Sequence, residues 1–198
     1  MGGRLCLDLA NTLQTDSQDA DRETLGSYTD VLEWAERAQI LTSTEVEQLA
    51  RRAEADVGAA REALEKTLAL RSALRSIFGS LAVGIAPDQE AITGLNRFVR
   101  EAQGHMHLVG SGSEYDWEWL VDDDLVRVPW PVARSAAVLL VSEQLSRVRI
   151  CDADTCRWLF LDTSKSGRRR WCDMKVCGNR AKARRHYART QSGGVDDG

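Results

Sequence analysis

The chain has 198 residues, 43 % of them hydrophobic, which suits one ordinary packed domain plus a small appendage and argues against disorder outside the ends. Its formal net charge of −4 hides a division: residues 147–189 carry 13 Lys+Arg against four Asp, whereas the rest carries 13 basic against 26 acidic residues. No charged-then-apolar leader opens the chain, and its most apolar run, Ala136-Ala137-Val138-Leu139-Leu140-Val141, is too short to span a bilayer, which points to the reducing cytoplasm rather than secretion or a membrane.

In chain order, Leu5-Cys6-Leu7-Asp8-Leu9 alternates loosely and reads as a short strand or the lead-in to a helix. Cys6 belongs to the core, and Asp8 and Asn11 suit a cap or a turn, a catalytic Asp8 being the alternative. Thr24–Ile40 predicts an amphipathic helix with Leu25, Tyr28, Val31, Leu32 and Ala35 on one stripe. Thr42-x-x-Glu45 and Thr44-x-x-Glu47 each offer a capping box for the next helical region. That region runs through Val46, Leu49, Ala53, Val57 and Ala60, with a bend expected near Gly58, and on to Leu74, Ile77, Phe78 and Leu81. Pro87 suits a helix start, with Ile92, Leu95, Phe98, Val99 and Ala102 as the next apolar face.

From His105 the period changes to two. His105–Val109 and Tyr115–Leu120, joined by Gly110-Ser111-Gly112-Ser113, predict a hairpin. Asp122-Asp123-Asp124 reads as a turn, Leu125–Val128 as a third short strand, and Pro131–Leu145 as a helix. The apolar helix faces and the strand bearing Trp117 and Trp119 offer walls for a pocket, an ordinary core being the simpler use.

The last third carries Cys151, Cys156, Cys172 and Cys177, spaced as Cys-x4-Cys, a 15-residue gap and Cys-x4-Cys. Thiolates are soft ligands, and four of them close a tetrahedral site around one structural Zn2+. Such a site keeps no open position for substrate or activated water, which argues against zinc catalysis. Arg147–Ile150 and Trp158–Asp162 predict the strands of a hairpin, and Cys177 is expected at or in the first turn of a helix running toward Arg189. About 45 residues bury too little apolar surface to fold alone, and metal binding can supply the difference. Trp158 and Trp171 are expected to pack around the metal. Candidate nucleic-acid contacts are Arg168, Arg169, Arg170, Lys175, Arg180, Lys182, Arg184, Arg185 and Arg189, because a dense positive segment seeks a polyanion. The plain alternative is a solvated helix face that also pairs with the acidic body.

Cys172-Asp-Met-Lys-Val-Cys177-Gly178-Asn179-Arg180 resembles the CGNR zinc finger, and Trp158-Leu-Phe-Leu-Asp162-Thr-Ser164, Arg169-Arg-Trp171 and Ala181-Lys182-Ala183-Arg184 extend the match. Leu7-Asp8-Leu9-Ala10-Asn11-Thr12 is similar to the opening of the ABATE domain, which precedes that finger in bacterial proteins described as stress-related transcription regulators. The resemblance implies zinc ligation by the four cysteines, and more chain ahead of Leu5 than the four residues present. Residues and resemblance together predict an α+β protein. A mostly helical N-terminal domain with a small antiparallel sheet (1–146) is followed by a treble-clef- or ribbon-like zinc finger (147–190) and a disordered tail (191–198). The expected function is nucleic-acid binding, with double-stranded DNA as partner, by a cytoplasmic transcription regulator; a homodimer and a small-molecule effector remain open. One alternative is a protein-interaction module with a purely structural zinc. The other is an enzyme in the helical domain, against which stand the absence of a Walker loop, a His-Glu-x-x-His and a Gly-x-Ser-x-Gly, although His105 and His107 could bind a ligand from one strand face.

Overall fold

The longest helix positions everything else. In a computed structural model describing residues 2–15, 21–120 and 124–192, helix α4 (Val57–Ala82) buries Ala60, Ala63, Thr67, Leu70, Leu74, Ile77 and Phe78. These residues recur every three or four positions, which lines them along one side of the helix. Around them pack α1 (Leu5–Ala10), α2 (Tyr28–Arg37), α3 (Ser43–Ala55), α5 (Gln89–Gly104) and α6 (Pro129–Leu140). Among the described residues there are three separate two-stranded antiparallel sheets: β1 (Leu13–Thr15) with β2 (Asp21–Glu23), β3 (Met106–Ser111) with β4 (Glu114–Trp119), and β5 (Val148–Ile150) with β6 (Leu159–Leu161).

Several boundaries differ from the sequence expectation, each for a local reason. Leu5–Leu9 is helical: Cys6, Leu7, Leu9 and Ala10 are all fully buried, so the short helix has no polar stripe to reveal its period. The β1–β2 hairpin carried no strong alternation; it is held by Arg71, whose guanidinium forks onto Glu23 at 2.5 and 2.6 Å from within α4. Helix α2 begins at Tyr28 rather than Thr24, because Ser27 and Asp30 form a reciprocal capping box. Of the two boxes offered before α3, Thr42 with Glu45 forms. The break before α4 falls at Asp56, whose side chain accepts from the Ala59 N–H, and not at Gly58. Likewise Asp88, rather than Pro87, caps α5.

The β3–β4 hairpin forms as expected, in the register Met106 to Trp119 through Ser111 to Glu114. Leu125–Arg127 is a 3-10 turn and not a strand: Asp124 accepts from the Val126 N–H, and Leu125, Val126 and Val128 all turn inward. Asp122 and Asp123 lie outside the described residues. Helix α6 starts at Pro129 and stops at Leu140, and a second 3-10 turn, Glu143–Arg147, leads into β5. No helix among the described residues is long and apolar enough to cross a membrane.

The β5–β6 hairpin joins two cores. Leu159 and Leu161 point into the body with Val148, whereas Phe160 between them packs with the cysteines. The period of two therefore gives one short strand two apolar faces, each with its own partner.

Candidate metal centre and basic surface

The first cysteine pair is set by the β5–β6 hairpin. Cys151 follows β5, and its N–H donates to the Trp158 carbonyl at 2.8 Å, closing the knuckle between the strands. Cys156 N–H donates to the Ala153 carbonyl, and Arg157 then takes φ = 55°, a left-handed turn that swings the chain into Trp158. The second pair is set by a π-helical turn, Met174–Gly178, which leads into α7 (Asn179–Ser192). Asp173 caps that turn, its carboxylate accepting from Lys175 N–H at 2.6 Å and Val176 N–H at 3.0 Å. Its carbonyl also accepts from Cys177 and Gly178, which points the Cys177 thiol back toward Cys172. Cys177 thus lies at the start of the terminal helix, in the turn that runs directly into α7.

The four sulfurs converge within 4.8 Å of one another. Cys156 and Cys172 are 3.5 Å apart and Cys172 and Cys177 3.7 Å apart. Zinc–sulfur bonds of about 2.3 Å at tetrahedral angles require sulfurs about 3.8 Å apart, so the donor set fits zinc. Charge leads to the same conclusion. Burial pushes the Cys177 thiol up to about 11. Cys172 moves up as it gives a hydrogen bond to Cys156, which is drawn down to about 5. Four crowded sulfurs resist sharing negative charge, and a divalent cation resolves that conflict. The backbone N–H of Cys172 donates to the Cys151 sulfur at 3.4 Å, fixing that ligand from outside the cluster. Cys151, Cys156, Cys172 and Cys177 form a binding site for one structural zinc.

Phe160, Trp158 and Trp171 pack around the cysteines, as expected of the two tryptophans. Asp162 organises the loop beyond β6. It is fully buried, accepting from the Ser164 N–H at 2.9 Å, the Ser164 hydroxyl at 2.6 Å and the Arg169 N–H at 2.8 Å. Burial alone would raise its carboxyl, but the bonds from Ser164 and Arg169 and the charge of Arg149 outweigh that and hold it below the usual range.

The basic candidates divide into distinct groups. Arg169 is internal to the finger: it donates to the Trp171 and Cys172 carbonyls, and its guanidinium lies 5.1 Å from the Phe160 ring centroid. Arg170 pairs with Asp152 at 2.7 Å and covers Trp171. Arg184 approaches Asp154 at 3.5 Å. Arg168, Lys175, Arg180 and Lys182 are exposed, and their side-chain charges have no bonded partner among the described residues. The side chains of Arg185, His186 and Arg189 lie outside the described residues, as do residues 193–198 of the expected tail.

Two functional-looking features of the body come apart. His105 follows α5 and stacks on Trp130, the rings 3.6 Å apart and inclined by 15°, whereas His107 is exposed on β3. Trp117 does line a groove of about 560 Å³ with Val99, Met106, Val138 and Val141, while Trp119 lines a separate, smaller one.

The seam between body and finger was not anticipated. Asn11, at the end of α1, donates from Nδ2 to the Leu159 carbonyl at 2.8 Å and accepts from the Leu159 N–H at 2.9 Å. Leu161 N–H donates to the Gly2 carbonyl at 2.8 Å. The outer edge of β6 is thus satisfied by the opening of the chain, about 150 residues away. Local pattern pointed Asn11 to a cap or turn; the only signal of more was the Leu7–Thr12 hexapeptide.

Comparison with known proteins supports this geometry. The CGNR zinc finger profile matches residues 147–190. The ABATE profile, described as "Putative stress-induced transcription regulator", matches residues 3–143. A search of curated proteins gave no match. The chain belongs to the ABATE family and carries a C-terminal CGNR zinc finger.

Proposed function

We propose that this protein is a DNA-binding transcription regulator whose zinc finger presents the contacting charges and which carries out no catalysis. It works in the cytoplasm, with 1–146 as its body and 147–190 as its finger. The observation that carries this reading is the set of exposed cations left over once the finger's own needs are met. In the Cys-Gly-Asn-Arg tetrapeptide, Cys177 is a ligand, Gly178 is buried beneath Met174, and Asn179 donates to the Lys175 carbonyl at 2.9 Å. Among the described residues Arg180 alone of the four has no such internal use, and the side chains of Lys175, Lys182 and Arg168 share its condition. Arg170 and Arg184 can exchange Asp152 and Asp154 for phosphates, and Arg185 and Arg189 extend the same helix. Arg169 serves as a positioning residue.

Four phosphates neutralised by Arg168, Lys175, Arg180 and Lys182 give a slope of log K against log salt of about −3.6. Fluorescence anisotropy with a labelled duplex should show this slope for the zinc-loaded protein. Arg180→Gln with Lys182→Gln should flatten it by about 2 while leaving zinc content unchanged. A salt-independent signal, or a double variant that binds like the parent, rejects the reading.

A second reading, a protein-interaction module, draws on the exposed Leu108, Tyr115 and Trp117 of the β3–β4 hairpin and on Val138 and Val141. It treats that surface as the contact of a homodimer. Self-association that persists when nucleic-acid binding is abolished selects it.

A further inference from the structure

A cavity of about 810 Å³ opens where α1 meets the finger. Its walls include Asp8 and Asn11 of α1, Trp34 and Arg37 of α2, Arg4, and Trp158 from the start of the finger's return strand. Two of these residues belong to the seam: Asn11 holds the Leu159 backbone, and the Trp158 carbonyl accepts from the Cys151 N–H, the first zinc ligand. Any molecule filling the cavity therefore touches Asn11, which docks the finger on the body, and Trp158, which is bonded to the first zinc ligand.

The chemistry of the walls is asymmetric. Asp8 is the charged group set deepest; Gly2 N–H donates to it, but no side-chain cation is bonded to it among the described residues. Burial raises its carboxyl, and the Gly2 bond and the chain's α-amino charge offset this only in part. Arg4 and Arg37 are exposed, with Arg4 already bonded to Gln144. Trp34 and Trp158 supply aromatic surface. A carboxylate lacking a side-chain counter-ion beside aromatic rings suits an organic cation, whereas an anion would bring its charge against Asp8.

We propose that this cavity binds a small organic amine, its ammonium on Asp8 and its apolar body against Trp158 and Trp34, and that occupancy is transmitted to the finger through Asn11 and Trp158. The proposal goes beyond nucleic-acid binding and does not depend on it.

Three indoles of similar size and different charge test it on the full-length, zinc-loaded protein: tryptamine, tryptophan and indole-3-propionate. Calorimetric titration should show tryptamine binding below about 5 mM, tryptophan more weakly, and indole-3-propionate not at all. Asp8→Asn keeps an acceptor for the Gly2 N–H and should weaken tryptamine by roughly tenfold or more. Arg37→Gln, at the exposed rim, should change it by less than about twofold. Tryptamine should also slow hydrogen exchange at the Leu159 and Leu161 amides, a readout that a merely sticky cavity does not move. Preference for indole-3-propionate, no amine binding, or an Asp8→Asn variant that binds like the parent overturns the site. Binding without a change at Leu159 and Leu161 overturns its link to the finger.

Discussion

The bond pair between Asn11 and Leu159 offers the sharpest test of how body and finger are joined. Asn11 is 5 % exposed, Leu159 equally so, and the two bonds measure 2.8 and 2.9 Å. Asn11→Leu keeps the branched shape of the side chain, at a greater volume, but leaves the Leu159 N–H and carbonyl with no partner in a dry seam. Each orphaned backbone group costs about 1–3 kcal/mol, so the two cost about 2–6 kcal/mol, from which about 1 kcal/mol of added apolar burial is recovered, and a net loss of about 1–5 kcal/mol is expected. With a urea slope of about 2 kcal/mol per molar, the midpoint should fall by about 0.5–2.5 M. Asn11→Asp separates the two bonds: one oxygen still accepts from the N–H, but the other faces the Leu159 carbonyl. Its penalty should ease as pH falls and the carboxyl takes up a proton to donate. The assay is urea unfolding with excess zinc and reductant, with hydrogen exchange at Leu159 to separate undocking of the finger from global unfolding. A stability of Asn11→Leu within about 0.5 kcal/mol of wild type, with unchanged exchange at Leu159, would refute the reasoning.

Elemental analysis should find one zinc per chain, and Cys172→Ser or chelation should remove it. At free zinc about 1,000-fold above the dissociation constant, linkage supplies about 4 kcal/mol, so the melting temperature should drop by about 10 °C without metal. Asp162→Asn removes the charge that three donors share and should cost about 2–3 kcal/mol at neutral pH. Because the folded carboxyl titrates below its usual value, its contribution is complete above about pH 4 and is lost as pH falls through the folded value. The variant's acid unfolding curve should accordingly be flatter than wild type's; a parallel curve contradicts the assignment. Leu161→Ala, on the finger's own strand, should cost about 2–5 kcal/mol and lower the stability of the whole chain. Loss confined to zinc retention would show that the strand's body-facing side matters little.

The zinc centre was legible because its information is local. Two Cys-x4-Cys pairs name the ligands without knowledge of the fold, and alternation in Trp158–Asp162 marks the strand between them. Helices with one apolar stripe were equally plain: the buried residues Val31, Leu32, Ala35, Leu74, Ile77, Phe78 and Leu95 all lie on the predicted faces. What escaped was set by distant partners. Helix α1 buries four of its six residues, Cys6, Leu7, Leu9 and Ala10, so period could not separate it from a strand. Leu125–Val128 has the composition of a strand, but it packs against helices α3, α4 and α6, and Asp124 turns it into a 3-10 segment. The three arginines 168–170 look alike in sequence and are all exposed, yet one has no bonded partner among the described residues, one braces the metal loop and one meets an aspartate from the other knuckle. Charge counting cannot make that distinction, because it depends on which carbonyls and carboxylates the fold brings near.

The change of charge near residue 147 and the division of the core do not coincide. Net charge switches sign at Arg147, but the apolar surface of β5 and β6 continues the body's core through Val148, Leu159 and Leu161. Within the two strands Phe160 serves the sulfur cluster, together with Cys151, Ala153, Cys156 and Trp158 of the connection between them. A short hairpin that gives one face to each core transmits a shift on either side to the other, because packed side chains move together rather than deform independently. The opening of the chain adds rigidity at the same place, with Gly2 and Asn11 filling the hydrogen bonds that a third strand would otherwise make. The finger that bears the basic surface is therefore joined to the body through this hairpin. A cavity bordered by Asn11 and Trp158 is placed where a small displacement would reach both the zinc ligand Cys151 and the exposed cations beyond it.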